Sequence, residues 1–176
     1  MKRLLFILLS ALLALFFTTT AQAAISTTFD STAAPTGTHL QTGTIACSVD
    51  PSTLLVSCTS YELAGVGNTN AKATLDTVYS ATVQCRNHGG QIVDVKSQAK
   101  AAPTTTGDLS PKNGRLSVPA FNSGPVPSAG TFEAQATCPN GNWTKQLLGG
   151  TTTLSSFVYT LHFAGFTGNY ITITGP

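Results

Sequence analysis

Charge is the scarcest ingredient of this sequence. Only 9% of its 176 residues are Asp, Glu, Lys or Arg, against roughly a quarter in an ordinary soluble domain. The formal balance of +2 overstates the basicity, because Lys2 and Arg3 belong to the opening segment. From residue 24 onward seven basic residues stand against seven acidic ones. Lys72, Arg86, Lys96, Lys100, Lys112, Arg115 and Lys145 are scattered, whereas displacing counterions from nucleic acid takes clustered cations. Neither nucleic acid nor an anionic membrane surface is supported as a partner.

Long apolar runs are missing after Phe17, so no later segment reaches the roughly twenty residues of a membrane-spanning helix. Amphipathic helices with caps at both ends are missing too. There is no phosphate loop or dinucleotide fingerprint; Gly65-Val66-Gly67 precedes a strand pattern and reads as a turn. There is no Gly-x-Ser-x-Gly elbow, and His39, His88 and His162 fall in unrelated contexts, so no hydrolase triad is assembled. Among the carboxylates, Glu62 and Glu133 are the pair that turn and strand patterning leaves unexplained. They are the candidates for the two-carboxylate chemistry of glycosidases. The reading is of a non-enzyme without a cofactor.

What the chain does carry begins with an export signal. Lys2-Arg3 precede the apolar stretch Leu4–Phe17, and the polar Thr18–Thr20 lead to the small-residue box Ala21-Gln22-Ala23. Positive start, short apolar stretch and A-x-A box make a cleavable signal peptide over Met1–Ala23, cut between Ala23 and Ala24. No cysteine follows the apolar stretch at the cleavage site, which argues against a lipid anchor. The remainder is expected to be secreted, periplasmic or otherwise extracellular, without a transmembrane anchor.

Residues 24–40 are rich in Thr, Ser, Ala and Pro and read as a flexible arm, with one edge strand at Ile25–Phe29. Residues 41–176 read as one domain. Gly43–Val49 and Leu54–Leu63 flank the turn Asp50-Pro51-Ser52-Thr53, with Pro in its favoured second place. Over Ala71–Arg86 the odd positions are mostly apolar and the even ones polar, the period of a half-buried strand. His88-Gly89-Gly90 turns this strand back into Gln91–Gln98. Leu116–Phe121, Thr131–Cys138 and Asn169–Thr174 are further strands, and Trp143–Leu148 with Thr153–Phe163 read as a hairpin about Gly149-Gly150. Many short strands between Gly, Pro and Asn turns predict an all-β, antiparallel β-sandwich of immunoglobulin-like type. A transmembrane barrel requires aromatic girdles at both strand ends, and the aromatics here fall on the face assigned inward.

Four cysteines in an exported chain predict disulfides. Cys47 and Cys58 lie almost symmetrically about the Asp50–Thr53 turn and are expected to pair across it, which leaves Cys85 for Cys138. The spacing Cys85-Arg86-Asn87-His88 lacks a second ligand pair for zinc or copper, so no metal is expected. Trp143 is the single tryptophan. It either packs on a disulfide or stacks on a sugar ring, and Tyr61, Tyr170 and Phe166 are the aromatics that would extend such a patch.

Four segments carry a resemblance: Ser60-Tyr61-Glu62-Leu63-Ala64-Gly65-Val66-Gly67-Asn68, Cys85-Arg86-Asn87-His88-Gly89-Gly90, Pro111-Lys112-Asn113-Gly114-Arg115 and Cys138-Pro139-Asn140-Gly141-Asn142-Trp143-Thr144. Over roughly residues 47–144 the chain resembles small exported bacterial proteins that have no assigned activity. The resemblance implies a disulfide-bearing all-β domain and a bacterial source, and it transfers no catalytic residue. Function is thus expected to be non-enzymatic binding or structure at the cell envelope or exterior, with a glycan or protein ligand. A carbohydrate-directed module or enzyme using Trp143 with Glu62 or Glu133 is the alternative. A surface subunit that self-assembles through residues 24–40 is a further one.

Overall fold

A computed structural model describes residues 24–176; Met1–Ala23, expected from the sequence to be an export signal, lies outside the described residues. In chain order the strands are β1 (Ser26–Phe29), β2 (His39–Gly43), β3 (Cys47–Val49), β4 (Val56–Cys58), β5 (Tyr61–Ala64), β6 (Ala71–Arg86) and β7 (Ile92–Lys100). They continue with β8 (Thr104–Thr105), β9 (Arg115–Val118), β10 (Phe121–Asn122), β11 (Thr144–Leu147), β12 (Thr153–Phe163) and β13 (Ile171–Gly175); a 3-10 turn at Ser31–Ala33 follows β1, and an α-helix, α1 (Ala129–Gln135), precedes β11. All strand pairs are antiparallel.

The alternating Ala71–Arg86 segment forms one strand of 16 residues, and every odd position along it is buried. Both of its edges are paired. On one edge β12 covers residues 71–80 and β11 covers 83–86; on the other, β8 meets Thr74 and Leu75 while β7 meets 78–86. Outside β12 lie β13 and then β1. Two small sheets, β10-β4-β3 and β2-β5-β9, complete the β structure.

The buried face of β6 serves two cores. Ala71, Ala73 and Leu75 join Phe157, Tyr159, Leu161, Phe163, Ile171 and Ile173 from the large sheet with Val56, Tyr61, Leu63, Leu116 and Val118 from the small ones. Tyr79, Ala81 and Val83 instead pack with Ala99, Ala101, Phe132 and Ala136. The first core buries the Tyr61 and Tyr159 hydroxyls against each other at 2.6 Å. Among the described residues no buried side-chain polar atom lacks a partner.

Three local expectations are corrected. Thr131–Cys138 is not a strand: Ala129–Gln135 is helical. Phe132 and Ala136 satisfy both the two-residue and the four-residue period, so so short a pattern cannot separate helix from strand. The prolines at 125, 127 and 139 bound the segment, and the helical choice lays Phe132 and Ala136 together on the second core. Trp143–Leu148 and Thr153–Phe163 do not pair with each other. β11 and β12 run in tandem along the same edge of β6, and the Gly149-Gly150 segment is an excursion between them, tied down by Leu148 N–H donating to Thr82 O at 2.9 Å and Thr82 N–H to Thr151 Oγ1 at 3.0 Å. Lastly, residues 24–40 do not form a flexible arm. Ser26–Phe29 pairs with β13, Ala33 and Ala34 are buried, and β2 begins at His39.

The two runs around Asp50–Thr53 do form a hairpin, but a bent one: β3 pairs β4, and β2 pairs β5 in another sheet. At the bend the Thr59 hydroxyl accepts from Ala46 N–H and donates to the Thr44 carbonyl. Gly43 meets the same corner with φ +85°. At the hairpin tip the Asp50 carboxylate accepts from the Ser52 hydroxyl and amide at 2.7 and 2.8 Å, which holds its pKa down at about 2. Further on, Gly65 has φ +76°, and a Cβ there would overlap the Gly37 carbonyl. Gly67 has φ +58° but open space around it. Gly65→Ala is therefore expected to cost more than about 2 kcal/mol and Gly67→Ala about 1 kcal/mol; urea unfolding of the two variants checks the order.

The tyrosine pair sets an alkaline limit. Burial chiefly raises both phenols, Tyr61 far above its ordinary value and Tyr159 to about 12. The unfolded chain releases these protons near pH 10, so the protonated pair stabilises the fold fully below that pH and the contribution is lost as pH rises from 10 toward 12. Tyr61→Phe orphans the Tyr159 hydroxyl at a cost of about 1–3 kcal/mol. The double Phe variant is expected to recover part of that loss and to flatten the alkaline limb of stability measured against pH.

Candidate functional site

The site is built where β6 ends. Cys85 occupies the last buried odd position of that strand, so its side chain points to the core side, and there it is bonded to Cys138 with the Cα atoms 5.8 Å apart. Cys47 and Cys58 are register partners of β3 and β4 and form the other disulfide. Both pairings agree with the sequence expectation, and Cys85 is thereby consumed as a metal ligand.

The Cys85–Cys138 bond fixes two turns side by side. One is the β6–β7 turn, in which Asn87 N–H donates to Gln91 O at 3.1 Å and Gly90 N–H to Asn87 O at 3.0 Å. The Asn87 side chain closes it, accepting from Gln91 N–H at 2.8 Å and donating to Gln91 Oε1 at 3.2 Å. The other turn follows Cys138, where Asn140 Oδ1 accepts from Asn142 N–H at 3.1 Å. Thr144 then enters β11 opposite Arg86 and donates its hydroxyl to the Arg86 carbonyl at 3.1 Å. Between the turns lies an open depression of about 410 Å³, lined by Asn87, His88, Gly89, Gln91, Asn140, Asn142 and the half-buried Trp143.

This lining holds amides, one imidazole and one indole, and no carboxylate. Amides both donate and accept hydrogen bonds, and an indole offers a flat face against C–H groups. The arrangement suits an uncharged, polyhydroxylated ligand. The two carboxylates of glycoside hydrolysis are not built here. Glu62 pairs with Arg115 at 3.1 Å, while Glu133 accepts from the Leu147 backbone N–H at 2.9 Å. The two acids have different partners and neither lines the depression.

The other aromatic candidates lie elsewhere. Tyr61 is buried and bonded to Tyr159, Tyr170 is buried with its hydroxyl donating to Thr38 O at 3.3 Å, and Phe166 packs edge-on to Phe163. None extends a surface with Trp143; Tyr61 is a core residue because it occupies an inward position of β5. His39 and His162 each bond a neighbouring loop carbonyl, Gly37 and Gly168. Sequence reasoning missed Asn87, Gln91, Asn140 and Asn142. Each of the two amide-rich turns follows one partner of the expected Cys85–Cys138 bond, and that bond brings the turns together.

Loss of this bond is expected to cost about 4 kcal/mol on a chain-entropy basis, given its separation of 53 residues. The Cys85→Ala/Cys138→Ala protein, compared with the parent in urea, checks this, and non-reducing peptide mapping checks both pairings. A Cys47–Cys85 peptide would refute them. The chain finds no match among protein-family models, curated proteins or solved structures.

Proposed function

We propose that this chain is an exported binding protein, working in the periplasm or outside a bacterial cell after removal of Met1–Ala23, that holds a neutral carbohydrate in the depression beside Trp143. Its domain is read as an immunoglobulin-like sandwich acting as a scaffold rather than as a catalyst. The observation that carries the reading is the lining itself: a half-exposed indole and an imidazole among four amide side chains, with no carboxylate, Lys or Arg, on turns fixed by a disulfide and by their own hydrogen bonds. Two disulfides are compatible with an oxidising compartment. Among the described residues no helix is long and apolar enough to cross a membrane. Self-assembly through residues 24–40 is less favoured, because β1 is already paired to β13 of its own chain and would have to be released.

A glycan array probed with residues 24–176 tests the proposal. Binding to uncharged glycans is expected, weakened at least tenfold in Trp143→Ala while the melting temperature stays within a few degrees of the parent. Binding that survives Trp143→Ala intact, or that is confined to protein ligands, would sink it.

A further inference from the structure

The outer face of the large sheet, turned away from both cores, carries a second pattern. Register partners in an antiparallel sheet share a face. Thr28 pairs with Thr172, Thr172 with Thr160, Thr160 with Thr74, and Thr74 with Thr105. Five threonines therefore stand in one row across β1, β13, β12, β6 and β8. At the ordinary strand spacing of about 4.8 Å the row is roughly 19 Å long. All five are exposed or half-exposed. Thr28 donates its hydroxyl to the Thr172 carbonyl at 3.3 Å; among the described residues the hydroxyls of Thr74, Thr105, Thr160 and Thr172 make no bond to protein.

Threonine suits an exposed strand, which accounts for its frequency but not for five in register, four of them with hydroxyls that bond no protein atom. The row presents a hydroxyl and a methyl at each step and carries no charge. On β6 and β12 the flanking rungs carry Lys72 and His162 on one side and Asp76 on the other, and Asp108 lies beside Lys72 and His162, so the neighbouring ionisable groups are of mixed sign. A polyanion gains nothing there. A rigid lattice such as ice fits poorly as well, because neighbouring strands rotate by about 20–25° and a plane would leave the row after a few strands. A single flexible chain can follow it.

We infer that the Thr28–Thr172–Thr160–Thr74–Thr105 row binds a linear, uncharged polysaccharide lying across the strands, the threonine hydroxyls bonding its hydroxyls and the methyls meeting its C–H faces. The inference rests on the carbohydrate reading for the class of ligand, but it names a different surface.

Affinity electrophoresis of the protein from residue 24 onward in gels containing hydroxyethyl cellulose separates the two. The Thr74→Val/Thr160→Val/Thr172→Val protein keeps the branched shape and removes the central hydroxyls. Retardation of the parent is expected to fall at least fivefold in this variant, with an unchanged melting curve, and to persist in part in Trp143→Ala. An unretarded parent, or equal retardation of parent and valine variant, overturns the row as a binding surface. Loss confined to Trp143→Ala overturns it while leaving the depression intact, and loss confined to the valine variant upholds the row and removes the depression. Inhibition of ice recrystallisation by the parent without retardation in the gel assigns the row to ice and overturns the polysaccharide. If the triple variant melts lower, Thr160→Val alone, expected to lose at least twofold, decides by the same criteria.

Discussion

The alternation of β6 is the constraint on which the rest of the structure depends. A backbone N–H and C=O at every step must be paired on both edges once the strand is interior to a sheet, and its length exceeds what any one neighbour supplies. The chain meets the demand with tandem partners, β7 then β8 on one side and β11 then β12 on the other. Its buried odd face likewise needs more cover than one layer provides. The small sheets cover the Ala71–Leu75 half, and α1 covers the Tyr79–Val83 half. Because strand side chains alternate strictly, a slip of one residue would turn Lys72, Asp76 and Arg86 into the core. The register is accordingly well defined.

The candidate site is a consequence of where that strand stops. Cys85 is the last inward residue of β6, and its bond to Cys138 draws the end of α1 and the loop after it to the β6–β7 turn. Amides that close those turns, Asn87 to Gln91 and Asn140 to Asn142, also line the depression. The same hydrogen bonds that shape the turns restrain the groups that line the depression, which would reduce the ordering cost of binding the proposed ligand.

Low charge links the two proposed surfaces. A chain with few ionisable groups must keep itself hydrated with hydroxyls and amides, here clustered as amides at the end of β6 and as hydroxyls across the outer face of the large sheet. Neutral polyols compete with water for such groups on nearly equal terms, so affinity must come from many aligned contacts or from an aromatic platform. In the proposed reading the threonine row would supply the first and Trp143 the second.

Much of this was legible one segment at a time. The sequence by itself determined β6 to the residue, Thr153–Phe163 as a strand, the β6–β7 turn, the turn between Cys47 and Cys58, and both disulfide pairings, because each rests on a two-residue period, on turn residues, or on the symmetry of Cys47 and Cys58, which leaves Cys85 for Cys138. Trp143 was legible as a candidate for a different reason, being the single tryptophan. Only the tertiary structure decided the rest. Phe132 and Ala136 fit strand and helix alike until a core half without cover selected the helix. The Gly149-Gly150 segment resembles a hairpin turn until β6 captures the strands on both sides of it along one edge. An edge strand at residues 25–29 is expected from the sequence, but the arm around it looks free until β13 pairs that strand and Ala33 and Ala34 are buried. Tyr61 is a surface aromatic or a core one depending on which face its short strand turns inward. In each case the deciding interaction lies between segments far apart in the chain, and such pairings leave no periodicity in the sequence to read.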